Sequence, residues 1–242
     1  NLIDFRRFSG KYMEEEDNKI RILNSYNDKL LFVGQYANRK KNGEGIEYND
    51  EGKIIFEGEY LDGKKWKGIE KKYDKDNGEL IFEYEYQNGI IEGKVKEYDK
   101  YNGELLFEGH YKNGKRDGYG EEYKLIPYEV YNYFNSYSSS KNTKLITIFK
   151  GEYKNGERKE GKEYNYKEKL VYEGEYLNGE KNGKGKFYDD YNRLKYDGEY
   201  KNGIKHGKGI EFDKINDIIY EGEFLNGKKN GKGKEYHFNN YA

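Results

Sequence analysis

The sequence predicts an all-β protein, an elongated single-layer array of antiparallel β-hairpin repeats. Three observations indicate this fold. A short unit recurs along almost the whole chain, apolar and charged residues alternate within the unit, and Asn-Gly pairs and single glycines follow where hairpin turns need them. A recurrence of this length is typical of solenoids and linear arrays.

The repeat is clearest at residues 172–188, YEGEYLNGEKNGKGKFY. It opens with an aromatic residue, any residue, Gly, any residue and a second aromatic residue, and Tyr84 replaces the Gly in the fourth copy. The openings lie about 24 residues apart, with one gap of about 42 residues. They begin at Phe8, Phe32, Phe56, Phe82, Phe107, Phe149, Tyr172, Tyr196 and Tyr220.

This unit resembles the MORN repeat, whose core runs Y-x-G-x-W/Y-x-x-G-x-x-x-G-x-G. The resemblance covers roughly residues 30–237. The copies that begin at Tyr172, Tyr196 and Tyr220 match closely, with Tyr or Phe at the usual Trp position. The resemblance implies a MORN solenoid or twisted ribbon.

Three copies depart from the pattern in their late glycines. The Phe82 copy has Val95 in place of the second late glycine. The Phe56 and Phe149 copies keep one late glycine each, displaced by one position, and these are Gly68 and Gly161. That looser form is similar to the MORN-variant repeats of bacterial proteins.

The composition fits a thin array better than a globular core. Hydrophobic residues make up 33% of the chain and charged residues 38%, which would be typical of disorder without the regular spacing of the aromatics. A net charge of −1 argues against nucleic-acid binding, and the absence of Cys excludes disulfides and Cys-based metal sites. No apolar run approaches a membrane span of about 20 residues. Since the chain does not begin with Met, it can be read as part of a longer protein.

The predicted organisation is one continuous array over residues 1–242. Residues 1–29 hold a degenerate unit that opens at Phe8-Ser9-Gly10-Lys11-Tyr12 and caps the first strand edge. The acidic cluster at 14–17 is interpreted as a solvated loop rather than a cation site. Further along, we predict four units at 30–123, an insertion at 124–146, four units at 147–237 and a tail at 238–242.

Alternation places Leu30, Phe32, Gly34 and Tyr36 on one face of a strand. Because Gly leaves a gap in that face, we expect an aromatic ring from a neighbouring strand to lie over it. The opposite face carries charge, and we expect cross-strand Glu–Lys pairs there, with a metal or polycation site as the alternative. The residues concerned are Glu57, Glu59, Glu83, Glu85, Glu173, Glu175, Glu221 and Glu223, with Lys94, Lys184, Lys208 and Lys232 on the returning strands.

Asn-Gly pairs mark the hairpin turns, because both residues readily take positive φ angles. The distance from each Asn to the late Gly predicts a bulged turn longer than the two-residue minimum. Second turns between units are predicted at 49–52 and 99–103. The Asn residues of the pairs are Asn88, Asn113, Asn155, Asn178, Asn202 and Asn226.

The insertion at 124–146 contains the only Pro, Pro127, and an aromatic run. It is either a tolerated excursion, such as an elongated hairpin, or a place where a partner binds. Its aromatic residues are Tyr128, Tyr131, Tyr133, Phe134 and Tyr137.

Nothing in the sequence indicates an enzyme, a cofactor or a metal site. The three histidines, His110, His206 and His237, lie at different offsets in different units. Glycine runs such as 183–185 neither follow a strand into a helix nor carry a Gly-Lys-Ser/Thr motif, so they do not predict a phosphate loop.

These patterns predict a non-catalytic scaffold or adaptor that presents an aromatic- and charge-lined surface to a protein partner, a helix or a peptide in a groove. The sequence shows no substantial cap after the last strand, and known MORN-repeat proteins are often dimers, so we expect a homodimer through the last units. We expect a cytoplasmic location, with cytoskeletal or membrane association. A peripheral phospholipid-binding module and an accessory module of a larger enzyme are the alternatives. The predicted partner-binding residues are Tyr36, Tyr60, Tyr86, Tyr111, Tyr153, Tyr176, Tyr200 and Phe224, together with the aromatics of the insertion.

Overall fold

The structure is a computed structural model that describes residues 10–16, 19–127 and 143–237. Over these ranges it contains eighteen β-strands and no helix. The strands are β1 Lys11–Glu16, β2 Lys19–Asn24, β3 Leu30–Ala37, β4 Lys40–Tyr48, β5 Ile54–Leu61, β6 Lys64–Tyr73, β7 Leu80–Gln87, β8 Ile90–Tyr98, β9 Leu105–Lys112, β10 Lys115–Pro127, β11 Thr143–Lys154, β12 Glu157–Tyr164, β13 Leu170–Leu177, β14 Glu180–Tyr188, β15 Leu194–Lys201, β16 Ile204–Phe212, β17 Ile218–Leu225 and β18 Lys228–Glu235.

The chain divides into two compact units. The first comprises Asn1–Glu104 and His110–Gly114, and the second comprises Leu105–Gly109 and Lys115–Ala242. In the first unit β1 to β8 pair antiparallel with their neighbours in chain order. In the second unit β10 to β18 do the same. The predicted array of antiparallel hairpins is therefore confirmed.

The hairpin turns are shorter than predicted. β13 ends at Leu177 and β14 begins at Glu180, so Asn178 and Gly179 form a two-residue turn with φ angles of 53° and 78°. Positive φ at both positions is the type I′ geometry, whose twist matches that of the flanking strands. The predicted bulge is present, but it lies further along the returning strand, so the turn itself has only two residues.

In five hairpins an acidic or amide side chain of the first strand closes the bulge, and these residues are Gln35, Glu85, Glu175, Glu199 and Glu223. Tyr176 pairs with Lys181 and Gly174 pairs with Gly185. The single residue Glu175 of β13 therefore lies opposite three residues of β14, which form the bulge. The Glu175 carboxylate accepts a hydrogen bond of 2.8 Å from the backbone N–H of Lys184. In the repeats whose single late glycine is displaced by one position, the bulge is one residue shorter than in the regular repeats. The displaced glycine therefore still pairs with the glycine of the preceding strand.

The turns between repeats are confirmed where the sequence predicts them. At 49–53 the backbone N–H of Gly52 donates to the carbonyl of Asn49 at 2.9 Å. The Asn49 side chain also accepts from the backbone N–H groups of Glu51 and Lys53. At 99–104 Gly103 donates to the carbonyl of Asp99 at 2.8 Å.

The register of β1 differs from the predicted N-terminal unit. Phe8 and Ser9 lie outside the described residues. Met13 pairs with Ile22, and Ile22 pairs with Phe32, so Met13 and not Tyr12 stands in line with the rings. Tyr12 points to the opposite face of the strand, because neighbouring residues alternate. The spacing Phe8–Tyr12 therefore does not mark the repeat's opening.

The insertion begins as a longer hairpin. β10 and β11 stay paired through the insertion's flanks, from Lys124 opposite Ile146 to Pro127 opposite Thr143. Ile126 and Ile146 are buried. The five aromatic residues predicted to bind a partner lie outside the described residues.

Candidate interaction surfaces

A row of glycines runs across the strands of each unit. In the second unit Gly174 pairs with Gly185 and Gly185 pairs with Gly198. We call these positions the glycine row. It comprises Gly34, Gly45, Gly58 and Gly68 in the first unit, and Gly109, Gly120, Gly151, Gly161, Gly174, Gly185, Gly198, Gly209, Gly222 and Gly233 in the second.

One ring covers each pair of glycines within a hairpin. A Cβ added to Gly185 would lie 2.5 Å from Cζ of Tyr172, and one added to Gly174 would lie 2.6 Å from the Tyr172 hydroxyl. The ring over Gly174 thus belongs to the same strand, two residues earlier. The expected ring from a neighbouring strand is right for Gly185 but wrong for Gly174, because side chains in strands lean along the strand direction.

The rings pack as a zigzag of edge-to-face pairs. Tyr172 lies 5.4 Å from Tyr176 of its own repeat and 5.3 Å from Tyr200 of the next, with interplanar angles of 81° and 89°. In the first unit Phe32 and Tyr60 are 5.4 Å apart at 88°. Such pairs contribute about 0.5–1.5 kcal/mol each beyond the burial of their area. We call the side of the sheet that carries these rings the ring face.

A layer of cations covers the rings. Lys181 Nζ lies 4.5 Å from the centroid of Tyr172 and 2.9 Å from the Glu163 carboxylate, which also accepts a hydrogen bond from the Tyr176 hydroxyl at 3.3 Å. A basic residue holds the same place, two residues after each hairpin turn, in seven of eight repeats, which the sequence shows but the prediction missed. These residues are Lys41, Lys65, Arg116, Arg158, Lys181, Lys205 and Lys229.

The densest part of this layer surrounds Glu122. Its carboxylate accepts from Arg158 at 2.6 Å and from the Tyr153 hydroxyl at 2.6 Å, and it lies 3.4 Å from Arg116. Burial by itself raises the pKa of the Glu122 carboxyl, but the hydrogen bonds and charges of these three partners outweigh it. The pKa of Glu122 therefore lies below its ordinary value. Burial, with the nearby carboxylate, raises the pKa of the Tyr153 phenol.

Most of the predicted partner-binding rings belong to the core. Less than a tenth of the surface of five of them is exposed, so they offer little area to a partner, and the other three are partly exposed. The five buried residues are Tyr60, Tyr153, Tyr176, Tyr200 and Phe224, and the three others are Tyr36, Tyr86 and Tyr111.

The opposite side, which we call the groove face, is more open. There the backbone of the glycine row forms the floor, because side chains at these positions would point to the ring face. The residues on either side of each glycine form two walls. A cleft of about 650 Å³ in the second unit lies over Gly198, Gly209 and Gly222. Its walls are Lys184, Glu199, Lys208, Glu223 and Lys232 on one side and Asp197, Ile210 and Glu221 on the other.

The first unit has a similar cleft of about 410 Å³. Here Val33 and Ile46 make one wall partly apolar, and the neighbouring Ile69 is 43% exposed. The two clefts thus share a glycine floor but differ in the chemistry of one wall.

Four lysines of the groove face do not form the predicted pairs. Among the described residues, Lys94, Lys184, Lys208 and Lys232 take part in no ion pair, although Lys208 faces Glu223 in register. The carboxylates of Glu85, Glu175, Glu199 and Glu223 accept instead from the backbone N–H groups of these lysines. Elsewhere the expected pairing is found, as between Lys162 and Glu173 at 3.5 Å.

Over the part of the chain that the structure describes, no group of three or more His, Cys, Asp or Glu side chains could hold a metal ion. The same ranges contain no helix long and apolar enough to cross a membrane.

A family model of the MORN repeat matches four stretches of the chain, residues 107–124, 172–193, 196–214 and 220–240. Three of them are the copies that begin at Tyr172, Tyr196 and Tyr220, and the fourth is the copy at Phe107. A search of curated proteins found no match.

Proposed function

Because the chain is a MORN-repeat protein, of a class commonly involved in protein or membrane interactions, we propose that it is a non-catalytic scaffold. Its groove face would hold a segment of a protein partner, either a helix or an extended peptide. The observation that carries this proposal is the open cleft over Gly198, Gly209 and Gly222, with lysines outside ion pairs on its wall.

The charges of the cleft suit a protein segment that carries both signs. On one wall Lys184, Glu199, Lys208 and Glu223 alternate, and successive lysines are one hairpin apart, about 10 Å at about 4.8 Å per strand. A partner with acidic side chains at that spacing would meet unpaired ammonium groups. Such complementarity favours one partner and one register over others.

The ring face suits a partner less well. Its rings lie under cations that are already bound to carboxylates, so a partner would have to displace these ion pairs. One local exception is Phe187, which is 40% exposed and occupies the register position that Glu163 and Glu211 hold in the neighbouring repeats.

Membrane binding is the alternative activity of the class. Attraction to anionic lipid requires clustered basic residues. In the cleft each lysine is flanked by carboxylates, so the field of the lysines is largely offset at the distance of a lipid surface. This charge pattern favours a peptide over a bilayer.

The test is selection of peptides from a random library against the intact chain, followed by fluorescence anisotropy with a selected peptide. We expect the variant K184E/K208E to weaken binding at least tenfold, because two like charges would then face the bound carboxylates. The matched control K169E/K201E makes the same change in net charge at two exposed lysines outside the cleft, and it should bind as the parent does.

Two results would contradict the proposal. One is equal loss of binding in the cleft variant and the control. The other is co-sedimentation of the chain with anionic vesicles at physiological salt together with no selectable peptide, which would favour the membrane function instead.

A further inference from the structure

Two strands each have one edge without a partner in the described residues. β1 pairs only with β2, and β18 pairs only with β17. All eight residues of β18 are exposed. An edge of this kind presents a row of backbone N–H and C=O groups that can pair with another strand.

The two edges carry opposite charge. β18, KKNGKGKE, has four lysines and one glutamate, whereas β1, KYMEEE, has three glutamates and one lysine. Pairing of β18 with a second β18 would bring lysines together, which is unfavourable across a strand pair. Pairing of β18 with the β1 of another copy would bring lysines against glutamates.

The register of the repeats specifies how these edges would meet. Inside the second unit Gly185 pairs with Gly198, which places Lys184 opposite Glu199 and Lys186 opposite Asp197. The other returning strands of this unit keep the same glycine register, but their flanking pairs differ. Lys208 faces Glu223 while Ile210 faces Glu221.

In β1 the place of the glycine row is held by Glu15. Glu15 pairs with Ile20, and Ile20 pairs with Gly34, which belongs to the glycine row. If β1 followed β18 as β15 follows β14, Gly233 would face Glu15. Lys234 would then stand opposite Glu14, and Lys232 opposite the position of Glu16.

This arrangement repeats the two lysines against two acids that β14 and β15 show. The strand direction also fits, since β1 runs antiparallel to β2 as β15 does to β16. Within its own copy Glu14 forms one ion pair, in which its carboxylate lies 3.4 Å from Arg21, and about a third of its side chain is exposed.

We propose that β1 of one copy adds to β18 of another copy and so continues the sheet from molecule to molecule. The contact is head to tail, because it joins two different surfaces. Repeated addition therefore gives a growing series of copies rather than a closed two-fold dimer. It differs from the end-to-end homodimer through the last repeats, which would join two basic edges.

The test is sedimentation velocity of the 242-residue chain from about 5 to 200 μM in low and in high salt. We expect the weight-average mass to rise steadily with concentration, and to rise less at about 1 M salt, where screening shortens the reach of charge to about 3 Å. The variant K232E/K234E should lower the association constant on the order of tenfold or more, because two attractive pairs become repulsive.

Charge restoration separates this contact from a loss of folding. Adding E14K and E16K to K232E/K234E restores opposite charges at both pairs, and association should return. The exposed control K169E/K201E should associate like the parent. Circular dichroism of each variant checks that the strands remain.

Three outcomes would overturn the proposal. The first is a monomer mass at every concentration in low salt. The second is a mass that saturates at the dimer and does not respond to the β1 substitutions, which would indicate a two-fold interface. The third is a folded four-substitution variant that fails to regain association.

Discussion

Strands β7 and β8 of the first unit differ from strands β13 to β18 of the second in the side chains that fill the space over the glycine positions. In the second unit Tyr172 and Tyr196 are fully buried over paired glycines, edge-on to the next rings. In β7 and β8 the glycine positions hold Tyr84 and Val95, which pair with each other. Phe82 then stacks on Tyr84 at 5.4 Å and 10°.

The pairing on the other side of β7 also differs from that of the regular repeats. Gly68 faces Tyr86 and Tyr84 faces Glu70, whereas Gly185 faces Gly198 in the regular repeats. Val95, only 1% exposed, fills the space that a glycine leaves to the ring elsewhere. A ring and a side chain therefore compete for the same volume over the glycine row, and a repeat without glycines must bury another side chain there in place of the ring.

The largest expected effect comes from Val95→Gly, which breaks the irregular repeat by removing its buried replacement. We expect a loss of about 2–4 kcal/mol in the free energy of unfolding, because a cavity forms and glycine loses more backbone freedom on folding than valine does. Urea unfolding followed by circular dichroism measures it. A loss below about 0.5 kcal/mol would mean that Phe82 swings back over the new glycine, as in the regular repeats.

Glu122→Gln tests the cation layer, which the second unit builds most densely around this residue. We expect a loss of about 1–3 kcal/mol near neutral pH, since Arg158 and Arg116 would keep their charge without a carboxylate. The pKa of Glu122 is depressed in the folded state, so its stabilisation is fully present above the ordinary value of 4.5 and is lost as pH falls through the folded value.

The difference between parent and E122Q should therefore shrink as pH falls below about 4.5. Unfolding free energies of both proteins between pH 7 and pH 3 check this. A difference that stays constant over the range would show that Glu122 contributes no charge-dependent stability.

Ile91→Lys would place a basic residue at the position, two residues after the hairpin turn, where the irregular repeat has none. Ile91 faces Tyr86 as Lys181 faces Tyr176. We expect a gain of about 0.5–1 kcal/mol, because the ammonium group would lie over the Phe82 ring. Thermal unfolding reports the change. The reverse substitution K181I should lower stability by a similar amount, and a loss in both variants would contradict the equivalence of the two positions.

The smallest effect is expected at a turn. Arg39 has a φ of 63° where six other hairpins place Gly after Asn. Arg39→Gly should stabilise by about 0.5 kcal/mol, the relief of left-handed strain less the added freedom of the unfolded chain. The control Lys40→Gly, one residue further in the strand, should destabilise. Stabilisation by both would indicate an effect unrelated to φ.

Sequence alone predicts the period, the faces and the turn positions, because these follow from strand alternation and from residues that take positive φ, such as Asn178. It does not reveal which strand supplies the ring over Gly174, since two neighbouring strands and the glycine's own strand are all within reach. Nor does it show that Glu175 caps a bulge instead of pairing with Lys184. Whether this carboxylate caps a bulge depends on the length of the bulge, and the number of glycines in a repeat does not determine that length. The position of Met13 in line with the rings follows from the pairing of β1 with β2, and the spacing of aromatic residues in the sequence does not reveal it.

We conclude that the rings require glycine at the positions of the glycine row. A double-mutant cycle on Tyr172 and Gly185 tests this requirement, using Gly185→Ala, Tyr172→Leu and the pair. We predict that Gly185→Ala costs about 1–3 kcal/mol with the tyrosine present and less than about 0.5 kcal/mol with the shorter leucine, because the added methyl group then has room. Equal costs in both backgrounds would contradict the claim.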